Sequence, residues 1–108
     1  MTVAVMEQIE LYIENEQGRA EKFVKEDCEG EDAEYILRGL EANVHANGLP
    51  SLERIFCAEE YLKLLRERDY RNDKTLSAAR IKYIDVSIKE CEEELDDMKK
   101  SYKDSLYE

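Results

Sequence analysis

The chain has 108 residues, a formal net charge of −11, and 43% hydrophobic and 40% charged residues. That mixture suits one modest domain, too apolar for general disorder. One Pro and four Gly exclude an all-β fold, which needs frequent turn residues, and the acidity disfavours duplex nucleic acid and anionic membrane surfaces.

The pattern predicts a first helix over about 3–27. Its apolar positions are Val5, Met6, Ile9, Ile13, Ala20, Phe23 and Val24, mostly three or four apart. Glu16 interrupts that stripe. Gly18 costs roughly 1 kcal/mol against Ala, so a kink or break is expected near it. Gly30 marks the first turn by its tolerance of the left-handed conformation. Acids at Glu31, Asp32 and Glu34 then suit the dipole of a second helix over about 31–46. Its face is Ala33, Ile36, Leu37, Leu40 and Val44. Asn47, Gly48 and Pro50 stop it, since Pro cannot continue a helical ladder.

Ser51 is the expected cap of a third helix, about 52–68, with a face of Leu52, Ile55, Phe56, Tyr61, Leu62 and Leu65. Asp73 or Thr75 is expected to cap a fourth, about 75–106, which is long enough for part of it to project. Ile81, Ile84, Ile88, Cys91, Leu95, Met98 and Tyr102 alternate steps of three and four within it. That repeat marks a helix packing lengthwise on another, in a bundle or a coiled coil. No second uninterrupted seam is present, so a second copy of this helix is the expected mate. The expectation is an all-α chain of about four helices in a single domain over residues 1–108. It is a helical bundle with a long, coiled-coil-like C-terminal helix, self-associating as a homodimer.

Charge is unevenly spread. Residues 1–34 hold eleven acids against three bases, residues 63–82 seven bases against three acids, and residues 90–97 six acids and no base. The candidate acidic partner face is Glu26, Asp27, Glu29, Glu31, Asp32, Glu34, Glu90, Glu93, Glu94 and Asp97. A basic protein partner would suit it. The candidate phosphate patch is Arg66, Arg68, Tyr70 and Arg71, because guanidinium groups beside an aromatic ring can hold a phosphate and stack a base.

Catalytic chemistry finds little support. His45 is the only histidine, so any Ser-His or Cys-His pair rests on it alone. Glu41 and His45 are four apart and lack the second histidine of a di-iron bundle. An EF-hand register from Asp27 puts Asp32 at the glycine position and Arg38 at the glutamate position. Glu31/Glu34 and Glu90/Glu93 have magnesium-binding spacing but lie in strongly charged segments, where such pairs are solvated faces. Cys28, Cys57 and Cys91 are odd in number and widely spaced, so neither a disulfide framework nor a CxxC site is expected. The N-terminus has no basic leader and no long apolar run. The expected protein is a cytoplasmic, non-enzymatic acidic interaction or regulatory module. It has no cofactor, metal, catalytic residue or membrane association. The alternatives are a nucleic-acid-mimicking inhibitor of a basic nuclease, repressor or defence protein, and a small phosphate-ligand or nucleotide binder.

Overall fold

The computed structural model describes residues 3–48 and 50–105, with side chains from Glu7 to Asp104. Four α-helices make up an all-α bundle: α1 (Val3–Cys28), α2 (Ala33–Val44), α3 (Leu52–Glu67) and α4 (Ala78–Ser105). A 3-10 turn, Tyr70–Asn72, lies before α4. Leu106, where the fourth helix was expected to end, and the side chains of Val5 and Met6 fall outside the described residues.

α1 runs unbroken through Gly18, against the expected kink. One ion pair, Glu16–Arg19 at 3.2 Å, spans the glycine, and another, Glu21–Lys25 at 2.7 Å, follows it. Each such exposed pair supports a helix by only a few tenths of a kcal/mol, but Gly18 stands inside a run of good helix formers. The turn after α1 follows the sequence. Gly30 has φ 76°, and Asp32 caps α2 by accepting from the Tyr35 amide at 2.9 Å. Ser51 likewise accepts from the Arg54 amide at 3.2 Å and starts α3.

The start of α4 departs from the expectation. Asp73 accepts from both the amide (2.9 Å) and the hydroxyl (2.6 Å) of Thr75. This local turn competes with helix and delays it. Ser77 is the cap instead, accepting from the Arg80 amide at 3.2 Å.

α3 is the central helix, packed against α1, α2 and α4. α2 is antiparallel to it, with Gly39 against Tyr61 and Asn43 beside Arg54. α4 is also antiparallel to it, as the pairs Arg66–Glu92 and Lys99–Glu59 show. α1 is parallel to it: Glu16 and Ala20 lie near Glu53 and Cys57, and Asp27 meets Tyr61. At the helical rise, α1 is about 39 Å long and α3 about 24 Å. The first half of α1 therefore runs some 15 Å past the start of α3.

The core is built from Ala20, Val24 and Cys28 of α1, the predicted face of α2, the inner faces of α3, and Ile84, Cys91, Leu95 and Met98 of α4. Ile81, Ile88 and Tyr102 pack on its edge. The α4 seam is thus occupied within one chain, by α2 and α3, and does not stand open for a second copy. The 3-4 stripe that suggested a coiled coil is the packing stripe of a bundle helix.

Candidate functional surfaces

Hydrogen bonds use up many of the charged groups that the sequence offered as sites. Asp27 is a three-helix junction. Its Oδ1 accepts from the Tyr35 hydroxyl at 2.7 Å and its Oδ2 from the Tyr61 hydroxyl at 2.6 Å. Those donors, Tyr61 above all and then Tyr35, hold its carboxyl below the usual aspartate range. Burial, and then the bond to Asp27, push the Tyr61 phenol well above its ordinary value. Asp32 is spent on its cap. Glu34 accepts from Arg80 at 2.8 Å, and Glu94 lies 2.9 Å from His45 Nδ1. Of the predicted acidic face, Glu26, Glu29, Glu31, Glu90, Glu93 and Asp97 form no ion pair among the described residues. They also fall in two groups. The first three lie around the α1–α2 turn, beside the end of α3. Asp97 sits near Val44 and Pro50, toward the other end of the bundle.

The arginine cluster stays on the surface but is engaged by acceptors of its own chain. Arg66 pairs with Glu92, Arg68 donates to the Cys28 carbonyl at 3.4 Å, and Arg71 pairs with Asp85 at 2.9 Å. Tyr70 donates to the same Asp85 oxygen at 2.6 Å and is only 9% exposed. Its ring is therefore not open for stacking on a base, and the guanidinium groups already have acceptors. Arg66, Tyr70 and Arg71 hold the end of α3 and the connection after it to α4, and Arg68 holds that connection to the end of α1.

Sequence reasoning missed two arrangements. The first is the Asp27–Tyr35–Tyr61 junction, which depends on helix pairing and has no local signature. The second is Arg54, whose Nε and Nη2 donate to the Asn43 carbonyl at 3.1 and 3.0 Å, with Nη2 also on Ala46 O at 3.0 Å. It caps the end of α2 from the next helix. An Arg three residues past a helix cap was the one available hint.

Three surface features remain. On α4, Tyr83, Val86, Glu90, Glu93 and Asp97 step by three and four along the exposed face, the first two apolar and the last three acidic. On α1, Ile9, Leu11, Tyr12 and Phe23 are exposed. Phe23 had been expected in the core; it lies beside the buried line Ala20–Val24–Cys28. Between α1 and α3 runs an open groove of about 370 Å³, lined by Glu16, Arg19, Ala20, Phe23, Glu53 and Cys57 among others.

All three cysteines are buried free thiols. Burial, and then Glu41, Glu94 and Glu90, push the Cys91 thiol up to about 11. Among the described residues no group of three or more His, Cys, Asp or Glu side chains is placed to hold a metal ion, and no helix is long and apolar enough to cross a membrane. No protein family's sequence profile, no curated protein and no solved structure matches this chain.

Proposed function

We propose that this protein is a non-enzymatic interaction module that binds a basic amphipathic helix of another protein along the outer face of α4. The observation that carries this reading is the exposed stripe Tyr83–Val86–Glu90–Glu93–Asp97. Val86 offers an open apolar anchor, beside the Tyr83 ring that the Arg80 guanidinium covers on one face at 4.8 Å. The last three side chains of the stripe offer carboxylates with no ion-pair partner among the described residues, which steer and orient a cationic ligand. The Arg66–Arg71 cluster, by contrast, spends its donors on the chain's own acceptors. The two separated groups of unpaired acids also fit a short helical ligand better than a continuous imitation of a phosphate backbone. Buried thiols suit a reducing, cytoplasmic setting. The module also self-associates, through a surface other than the α4 seam.

The test uses a designed Lys/Leu amphipathic peptide as probe, in fluorescence anisotropy against the full chain. The expected result is saturable binding that weakens steeply with added salt. It should also weaken at least tenfold in the combined variant Glu90→Lys, Glu93→Lys, Asp97→Lys, about 1.4 kcal/mol or more. Binding indifferent to salt and to that variant would overturn the proposal.

A further inference from the structure

The first half of α1 carries apolar side chains that its own chain leaves bare. Tyr12 is 55% exposed, and Phe23, further along the helix, is 58% exposed. The bare face is ordered. Ile9, Tyr12, Glu16, Arg19 and Phe23 step by three, four, three and four, so they form one heptad seam, in which the Glu16 side chain is only 15% exposed and already pairs at 3.2 Å with the open Arg19 of its own helix. The seam borders the groove between α1 and α3 and is distinct from the buried line Ala20–Val24–Cys28.

The seam is complementary to itself when reversed. A twofold axis passing between Gln17 and Gly18 sets Tyr12 opposite Phe23 of the partner subunit. It sets Glu16 opposite Arg19 of the partner subunit, and Ile9 against the aliphatic stem of Glu26 of the partner subunit. One flank carries Ile13 and Ala20, on the side of α3. The other carries Gln8, Asn15 and Lys22. Glu7, Glu10 and Glu14 point away from the seam, so no acid is forced against another. A parallel pairing has none of this, because it stacks Glu16 on Glu16 and Arg19 on Arg19 inside an apolar seam.

The lengths of the helices agree with the reversed pairing. α1 outruns its own α3 by about 15 Å at its N-terminal end. The same twofold lays that end along the second half of the partner's α1, on the side that Asp27 and Tyr61 mark as the later part of α3. Tyr12 and Phe23, which each chain leaves bare, are covered by the other, as an isologous interface requires.

We infer that α1 is the self-association surface of this protein, pairing antiparallel with a second copy through reciprocal Glu16–Arg19 contacts. This inference goes beyond the α4 reading and rests on different residues. Charge reversals on α4 leave it untouched, so either can fail alone.

The test is light scattering after size exclusion on the full chain, over a concentration series. The wild type is expected to run as a dimer. Glu16→Arg and Arg19→Glu, taken singly, are each expected to weaken the dimer at least tenfold. Helical circular dichroism should not change, because the in-helix pair that each single variant also loses supports α1 by only a few tenths of a kcal/mol. The double exchange Glu16→Arg/Arg19→Glu restores opposite charges across the axis and should restore the dimer. A wild type that stays monomeric at every concentration would overturn the inference and leave the stripe to a foreign helix. So would a dimer indifferent to both single variants. Orientation is read by mixing Tyr12→Cys with Phe23→Cys chains under mild oxidation. Mixed disulfides are expected; a predominance of like-with-like disulfides would overturn the antiparallel pairing.

Discussion

Replacing Gly39 by Ala sets two opposed effects against each other. Gly39 lies inside α2, where Ala is favoured over Gly by about 1 kcal/mol on helix propensity. A Cβ there would stand 2.4 Å from Cε1, 2.7 Å from Cζ and 2.8 Å from Cδ1 of Tyr61. That ring cannot swing aside freely. It is buried, and its hydroxyl is fixed at 2.6 Å from Asp27. Overpacking of this kind costs about 1–3 kcal/mol, and disturbing a hydrogen bond to a charged group costs about 1.5–3 kcal/mol more. The expected net is a loss of about 3 kcal/mol, the midpoints of those ranges less the gain in helix propensity. The matched control is Gly18→Ala. It is the same exchange in a helix interior, at a position with nothing within 4 Å of the added carbon. That variant should gain up to about 1 kcal/mol. Urea melts with unchanged slopes give both numbers. In a Tyr61→Leu background the cost at Gly39 should largely vanish, since Leu lacks the ring atoms that the new carbon meets. A Gly39→Ala protein as stable as the wild type would refute the argument that α2 and α3 are held at this distance by glycine against a fixed ring.

Asp27→Asn should cost about 2 kcal/mol in urea melts, because two phenol donors lose a charged acceptor. The folded-state carboxyl is depressed, so its stabilisation is complete above the unfolded aspartate value of about 4 and is lost as pH falls through the folded value. The Asp27→Asn variant should therefore show a flatter acid limb of stability against pH; an unchanged acid limb would remove Asp27 from that role. Arg54→Ala should cost about 1–2 kcal/mol by releasing the carbonyls at the end of α2. Arg54→Lys should recover little of it, since an ammonium cannot present the same fork; full rescue by Lys would show that charge alone matters. Iodoacetamide should modify Cys28, Cys57 and Cys91 slowly in the native protein and all three rapidly in urea, as burial raises each thiol above its ordinary value. Fast native modification of Cys91 would contradict its enclosure.

The helices were legible because apolar periodicity is a local signal. The α2 face Ala33–Ile36–Leu37–Leu40–Val44 is buried as predicted, and Ser51 and Gly30 perform the turn roles their chemistry suits. Error entered where two local preferences competed. Asp73 and Thr75 both look like caps, but they bond to each other, and the helix waits for Ser77. The surfaces were less legible because a charge means different things with and without a partner. Arg71 and Lys74 look alike in the sequence, yet Arg71 is committed to Asp85 across fourteen residues of chain. Asp27 read as one more carboxylate in an acidic run until helix pairing brought two phenols to it.

The seam of α4 shows why a perfect repeat does not by itself name its mate. Ile84, Cys91, Leu95 and Met98 would read the same against a second copy of α4 as against α2 and α3. What decides is the supply of complementary faces within the chain. α2 is buried along a full face, and α3 buries residues on several sides, so both have apolar surface to give to α4. α1 is in the reverse position. It meets only α3 along a full interface, it is longer than that neighbour, and its bare side chains keep heptad order past the neighbour's end. Under the self-association inferred above, the missing partner first suggested by the regularity of α4 would belong to α1. Its imperfect stripe, broken by Glu16 and Arg19, becomes a specific one once those two residues face each other across a twofold axis.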